Sequence, residues 1–146
     1  MGDDALWALV EHLVPLAHVI TPNVPELIEL TETEVEDAAD MLLAAQELLD
    51  RGPRAVLAKG GHLAGERLTD WLVWRGGQRG FSEERIDSRD THGTGCTLAS
   101  AVAVSLAQGL TLVDSVVRAR AFVRQGLMRA PGFGKGHGPM GFYPHE

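Results

Sequence analysis

Asp90-Thr91-His92-Gly93-Thr94-Gly95-Cys96 runs directly into Thr97-Leu98-Ala99-Ser100-Ala101-Val102-Ala103-Val104-Ser105-Leu106-Ala107. The second part is small and apolar, without Pro or internal Gly, and predicts a helix that ends at Gly109. Two glycines one residue apart, set against a helix start, gather several backbone N–H groups at one point. The first turn of a helix leaves donors unsatisfied and carries partial positive charge. Such a place binds an anion, most often phosphate. Cys96 opens this helix and is the single cysteine of the chain. Helix N-termini favour thiolates, so an anion cradle coincides with an ionisable side chain.

The 146 residues fit one domain with a real core, and 45% hydrophobic and 23% charged residues mark an ordinary globular chain. A net charge of −7 argues against broad nucleic-acid binding, which needs a surplus of Lys and Arg. One lysine and a helix end can still hold a nucleotide. A single Cys excludes an internal disulfide framework and a Cys-rich zinc site, and suggests a reducing, cytoplasmic setting. No stretch reaches the ~20 apolar residues of a membrane span. The acidic start, Met1-Gly2-Asp3-Asp4, fits neither a secretory signal nor a transit peptide. Leu6 stands where a myristoylation site wants Ser or Thr.

Along the chain, Asp3 or Asp4 caps a predicted helix to about residue 13, with Leu6, Leu9, Val10 and Leu13 on one face and Pro15 ending it. Residues 17–21 read as a short strand closed by Pro22-Asn23. Pro25 suits a first helical position ahead of residues 26–30. Thr33 and Glu36 form a capping-box pattern ahead of a helix over 38–49, stopped by Arg51-Gly52-Pro53. Residues 55–58 are a buried strand with 59–62 as its exit loop. Residues 67–74, Gly76-Gly77 and residues 81–86 suggest an antiparallel hairpin. Thr111 and Asp114 cap a last helix through about residue 128, and the tail, 131–146, is rich in Gly and Pro and reads as irregular. The pattern is α/β with parallel strands and no dividing linker. Ligands on such sheets lie beyond the carboxyl ends of the strands. Asn23 with Glu26, Lys59 with Gly60 and Gly61, and Gly93 to Cys96 all fall at such ends.

These parts suit phosphoryl transfer, which needs cations along the phosphates, a carboxylate-held metal and a base on the acceptor hydroxyl. Lys59 is the candidate phosphate cation. Glu26 is the candidate Mg²⁺ ligand, through water. The amides of Gly93, Thr94 and Gly95 would cradle developing charge, and Cys96 would take the proton. Neither the GxxxxGK[ST] phosphate loop nor GxGxxG occurs. Taken singly, each feature has an ordinary explanation: a small buried cysteine, a solvated lysine, an acid favoured by a helix dipole. The six histidines make no metal site by spacing, and His62, His92, His137 and His145 read as loop or tail residues.

Together and in order, Ile20-Thr21-Pro22-Asn23-Val24-Pro25-Glu26, Ala58-Lys59-Gly60-Gly61-His62-Leu63, Asp70-Trp71-Leu72 and Asp90 through Leu98 closely resemble the hydroxymethylpyrimidine/phosphomethylpyrimidine kinases of thiamine biosynthesis. These are members of the ribokinase-like superfamily. Gly136-His137-Gly138-Pro139 is similar to that family's closing motif. The resemblance implies a three-layer α/β/α sandwich, present here as its C-terminal portion, mainly parallel with a hairpin. It implies ATP- and Mg²⁺-dependent phosphorylation of 4-amino-5-hydroxymethyl-2-methylpyrimidine and then of its monophosphate. By resemblance Cys96 is the catalytic base and Gly93, Thr94 and Gly95 are the anion hole. Lys59 contacts phosphate, Asn23 and Glu26 stand near the metal, and adenine lies beside the hairpin and last helices.

Family members are about twice this length. Their Gly-Ser-Asp-x-Ser-Gly-Gly-Ala-Gly stretch, which helps hold the pyrimidine, has no counterpart here. The expectation is one partial kinase domain over 1–146 that lacks most of the substrate pocket, exposes a sheet edge, and works as a homo-oligomer or with a complementing N-terminal half. The alternative is an inactive remnant or interaction module. Pyridoxal kinase is a further possibility, against which Cys96 speaks, since Asp is more usual there.

Overall fold

The computed structural model describes residues 3–86, 91–133 and 135–142, the side chains of Asp3 and His62 excepted. Asp90, which opens the motif above, lies outside the described residues, as do residues 1–2 and the tail end, 143–146, with His145. The chain forms two compact units, residues 1–85 and 86–146.

The first unit is built around β1 (Ala55–Ala58), whose four residues are all buried, as an apolar strand covered on both faces must be. Residues 17–23 run parallel beside it. Ile20 pairs with Val56 and Asn23 with Lys59, and the Leu57 and Lys59 amides donate to the Ile20 and Pro22 carbonyls at 2.8 and 2.9 Å. A parallel pair needs a crossover of a dozen or more residues. Here α2 (Val24–Thr31) and α3 (Ala38–Asp50) supply it. On its other edge β1 pairs antiparallel with β2 (Arg67–Trp74), and β2 pairs antiparallel with β3 (Gly77–Glu84). The fold is thus α/β, but the three-stranded sheet is antiparallel rather than mainly parallel, and parallel pairing beside β1 is confined to isolated bridges at Ile20 and Asn23. The hairpin turns over two residues, Arg75 and Gly76, with Gly76 at φ +99°, a conformation natural to glycine in such tight loops.

Met41, Ala44, Ala45 and Leu48 of α3 are buried at i, i+3, i+4, i+7 spacing, and they form one core with Leu27, Leu30, Val56 and Val73. Four local expectations change. The strand expected over 17–21 is not formed; that segment holds only isolated bridges, at Ile20 and Asn23. The first helix is α-helical only over α1 (Asp3–Ala8). A wide π-turn over Leu9–Leu13 follows, so Val14 turns inward at 3% exposure while Leu13 points out at 61%. The cap of α3 is Asp37, not Thr33. Val35 is buried in an irregular segment, and the helix starts only where Asp37 accepts from the Ala39 and Asp40 amides at 2.7 and 3.0 Å. β3 begins at Gly77, four residues before Phe81, because backbone pairing carries its polar start.

The second unit consists of α4 (Thr94–Ala107), α5 (Leu112–Met128) and a tail that is irregular but docked. Leu98 and Val102 of α4 and Val116 and Ala119 of α5 are buried. Gly109 closes α4 at φ +87°, and the Thr111 hydroxyl caps α5 by accepting from the Asp114 amide at 3.1 Å. The Gly141 amide donates to the Gly126 carbonyl at 2.9 Å, and Phe142 stacks on Phe122 at 5.0 Å. Burial, aided by nearby Arg124, lowers Arg120 to about 10. No helix among the described residues is long and apolar enough to cross a membrane.

Displaced from capping, Thr33 donates its hydroxyl to Glu47 at 2.8 Å, and Arg51 binds the same carboxylate at 2.8 Å. Those two bonds, the threonine's first, hold the Glu47 carboxyl below its usual range. A carboxyl depressed in the folded state stabilises above its unfolded pKa and loses that contribution as pH falls through the folded value. Glu47→Gln is therefore expected to flatten the fall of melting temperature below about pH 4.3. Parallel acid limbs for the variant and wild type would refute the assignment.

Candidate functional site

The parallel bonds between residues 20–23 and β1 bring Asn23 and Lys59 opposite one another, Lys59 directly after the carboxyl end of β1. Asn23 is also the N-cap of α2. Its Oδ1 accepts from the Glu26 amide at 2.9 Å, and the Glu26 carboxylate accepts from the Asn23 amide at 2.8 Å. This reciprocal capping box satisfies two helix donors and fixes both side chains. Val24 and Leu27, buried on either side of the box, anchor the turn to the core. Asn23, Glu26 and Lys59 are thus brought together within the first unit, with Glu26 exposed and Lys59 half-buried.

Beyond Lys59 the chain makes a tight turn over Gly60–His62. The Gly60 amide donates to Asp70, a carboxylate only 5% exposed, at 2.9 Å. A Cβ at Gly60 would stand 1.9 Å from the Thr69 carbonyl oxygen, so only glycine fits this approach. Arg85 reaches the same loop from the end of the hairpin. The sequence alone marks Asp70 only within the Asp70-Trp71-Leu72 motif and does not mark Arg85, because their hydrogen bonds to the loop are tertiary facts.

In the second unit Gly93 is the N-cap of α4, with φ +81° in the left-handed region that favours glycine. Thr94, Gly95 and Cys96 form the first turn, and Cys96 is exposed. The Thr97 amide makes the first helical bond, to Gly93 at 2.9 Å, and the Thr94 amide donates to Thr91 at 3.3 Å. The Gly95 and Cys96 amides precede that first bond, so the helix provides no acceptor for them. Of the expected cradle of Gly93, Thr94 and Gly95, the Thr94 amide is taken by Thr91, and the donors that the helix leaves over, Gly95 and Cys96 N–H, lie beside the thiol. The tail braces its entrance: the His92 amide donates to Gly138 at 3.3 Å, and Thr91 Oγ1 lies 3.3 Å from His137 Nδ1. A groove of about 670 Å³ between α4 and α5 reaches Cys96 and is lined also by Ser100, Ala101, Val104 and Phe122.

Among the described residues no three His, Cys, Asp or Glu side chains stand together to hold a metal. Glu26 is a single carboxylate. That donor set suits Mg²⁺ kept largely by water and substrate phosphates, and suits few other metals.

An α/β unit with a Lys-Gly-Gly strand exit and a helix opened by Gly-Thr-Gly-Cys defines part of a ribokinase-like kinase. The solved pyridoxal kinase of Bacillus subtilis, in an ADP complex, superposes with TM-score 0.90 at 32% identity, over 96% of this chain and 55% of that one. The phosphomethylpyrimidine kinase of Clostridium difficile superposes with TM-score 0.72 at 35% identity, over 84% and 48%. The hydroxymethylpyrimidine/phosphomethylpyrimidine kinase of Synechococcus elongatus is 42% identical over 144 residues, 96% of this chain and 54% of its own length. The chain belongs to the phosphomethylpyrimidine kinase family, whose sequence model matches residues 1–141. It spans about half the length of these relatives.

The capping box predicts a thermodynamic result separable from ligand binding. Asn23→Ala should cost about 1 kcal/mol in urea unfolding, and Asn23→Asp, which caps equally well, should cost little. Equal losses in the two variants would show that the cap does not hold α2.

Proposed function

We propose that this chain is the ATP-handling part of a kinase that phosphorylates 4-amino-5-hydroxymethyl-2-methylpyrimidine and then its monophosphate. The observation that carries the reading is the exposed Cys96 thiol in the first turn of α4, beside amides that the helix leaves without acceptors. Phosphoryl transfer spreads negative charge over the moving group and requires a base on the attacking hydroxyl. Gly95 and Cys96 N–H groups, with Gly93 and Thr94 shaping the turn, supply fixed donors for that charge. Cys96 Sγ accepts the proton of the substrate hydroxymethyl group. Lys59 neutralises the phosphate chain.

Asn23 and Glu26 stand beside Lys59, and Glu26 would hold Mg²⁺ through water. When bound, the metal neutralises phosphate charge and orients the γ-phosphoryl group. The capping box limits how far the Glu26 carboxylate can wander, which lowers the ordering cost of holding a hydrated cation. A thiol that must stay reduced fits a reducing, cytoplasmic compartment.

Full turnover requires a complementing half, whether from a separate chain, a longer gene product or an oligomeric partner. Two observations support this. The chain spans about half the length of its relatives. In addition, α4 carries no charged residue over 14 positions yet exposes Ala103, Val104 and Ala107 on one face. A helix apolar on all sides is normally a buried helix. A second reading, phosphorylation of pyridoxal, is favoured by the closer superposition on a pyridoxal kinase.

The test pairs Mg-ATP calorimetry on the full chain with turnover after mixing it with the N-terminal half of the Synechococcus relative. Each acceptor, hydroxymethylpyrimidine or pyridoxal, is assayed separately. Wild type should bind Mg-ATP and phosphorylate the pyrimidine. Cys96→Ala should keep nucleotide affinity while losing roughly 10²–10⁴ in kcat. Lys59→Ala should weaken Mg-ATP binding instead. Turnover retained by both variants would sink the site, pyridoxal preference would establish the second reading, and absent Mg-ATP binding would leave an inactive interaction module.

A further inference from the structure

The loop that follows Lys59 is held from two sides. On one side Gly60 donates to the buried Asp70 carboxylate at 2.9 Å and presses against the Thr69 carbonyl. On the other, Arg85 applies all three guanidinium nitrogens to the loop backbone. Its Nη1 donates to Gly61 O at 2.7 Å, its Nη2 to Leu63 O at 2.7 Å and its Nε to Gly65 O at 3.2 Å. The anchor is fixed at its own base too, since the Arg85 amide donates to Glu66 O at 2.9 Å.

Three main-chain carbonyls two residues apart do not converge on a cation by chance of composition. Their convergence defines one shape for residues 60–65. Lys59 is the last residue before that loop. Its amide is tied to Pro22, so where Gly60 and Gly61 are held decides the rest of its backbone. We propose that Arg85 is a positioning residue for the phosphate site: its guanidinium fork sets the 60–65 loop and, through it, the placement of Lys59. This rests on the assignment of Lys59 to phosphate binding.

A planar fork with donors in fixed directions can bridge three carbonyls, whereas a lysine ammonium is a point charge on a flexible stem. Charge alone and positioning are therefore separable. Arg85 is exposed, so substitutions there leave the buried core intact. The experiment is a set of Mg-ATP titrations on the full chain as wild type, Arg85→Ala, Arg85→Lys, Lys59→Ala and the double variant Lys59→Ala/Arg85→Ala. Melting temperatures serve as the folding control, and amide exchange at Leu63 reports the loop.

Both Arg85 variants are expected to weaken Mg-ATP by about tenfold, with Lys no better than Ala, and to speed Leu63 exchange. In the Lys59→Ala background, Arg85→Ala should add less than about twofold, because residues acting through one group are not additive. Wild-type affinity in Arg85→Lys would mean that only charge matters and overturn the proposal. So would an undiminished effect in the Lys59→Ala background, or unchanged affinity alongside faster Leu63 exchange. If wild type itself binds no Mg-ATP, the Lys59 assignment fails first and takes this inference with it. That result is distinct from a wild type that binds while Arg85 proves irrelevant.

Discussion

The amides of Leu57 and Lys59 donate to the carbonyls of Ile20 and Pro22, and most of the first unit follows from those two bonds. Because the pairing is parallel, the chain must leave residue 23 and return to residue 55 by a long crossover. That crossover is α2 and α3, and its return buries Met41, Ala44, Ala45 and Leu48 against Val56 and Val73. Parallel pairing also sends both segments out of the sheet at the same end. Asn23 and Lys59 emerge opposite one another for that reason, not because either residue attracts the other. A one-residue slip would turn every side chain of β1 to the opposite face. The core therefore enforces the register that aligns the polar ends.

Much of the fold is readable in the sequence because its strongest elements are also its most periodic. The 41, 44, 45, 48 spacing marks α3, four apolar residues mark β1, and Gly109 marks the close of α4. What escapes reading depends on partners distant in sequence. Gly77-Gln78-Arg79-Gly80 has no strand composition, yet it pairs fully with residues 71–74 of β2. The π-turn at Leu9–Leu13 is equally silent, since apolar residues continue at helical spacing through it. Thr33 and Glu36 match a capping box as letters, but Val35 is buried in the irregular segment before the helix, and the cap falls to Asp37. Local chemistry proposes a helix start, and packing chooses among the candidates.

The site divides the same way. Gly93 through Cys96 are legible because a left-handed glycine, a small residue and a helix start constrain one another within four positions. Lys59 is legible as the residue after a buried strand. Asp70 and Arg85 are not legible as a frame, since their bonds to Gly60, Gly61, Leu63 and Gly65 cross up to 24 residues. The tail contacts at Gly138 and His137 cross still more of the chain. Candidate side chains such as Lys59 and Cys96 are announced by type, whereas the residues that hold them are ordinary in type and known only by contact.

Asn23 and Glu26 show why a structural role does not compete with a chemical one. An N-cap carboxylate accepts from a backbone amide with one oxygen, and a carboxylate has about four lone-pair sites. Capping therefore consumes a small part of what Glu26 can offer. A free surface glutamate that recruits a hydrated cation must first lose rotamer freedom, a cost of up to about 2 kcal/mol. Glu26 has already lost that freedom to Asn23, and α2 repays it through two satisfied donors. The helix and a cation at Glu26 would thus draw on the same ordering. A capped helix start at the end of a parallel strand orders a polar pair at little further cost, and it lies where α/β sheets bind their ligands.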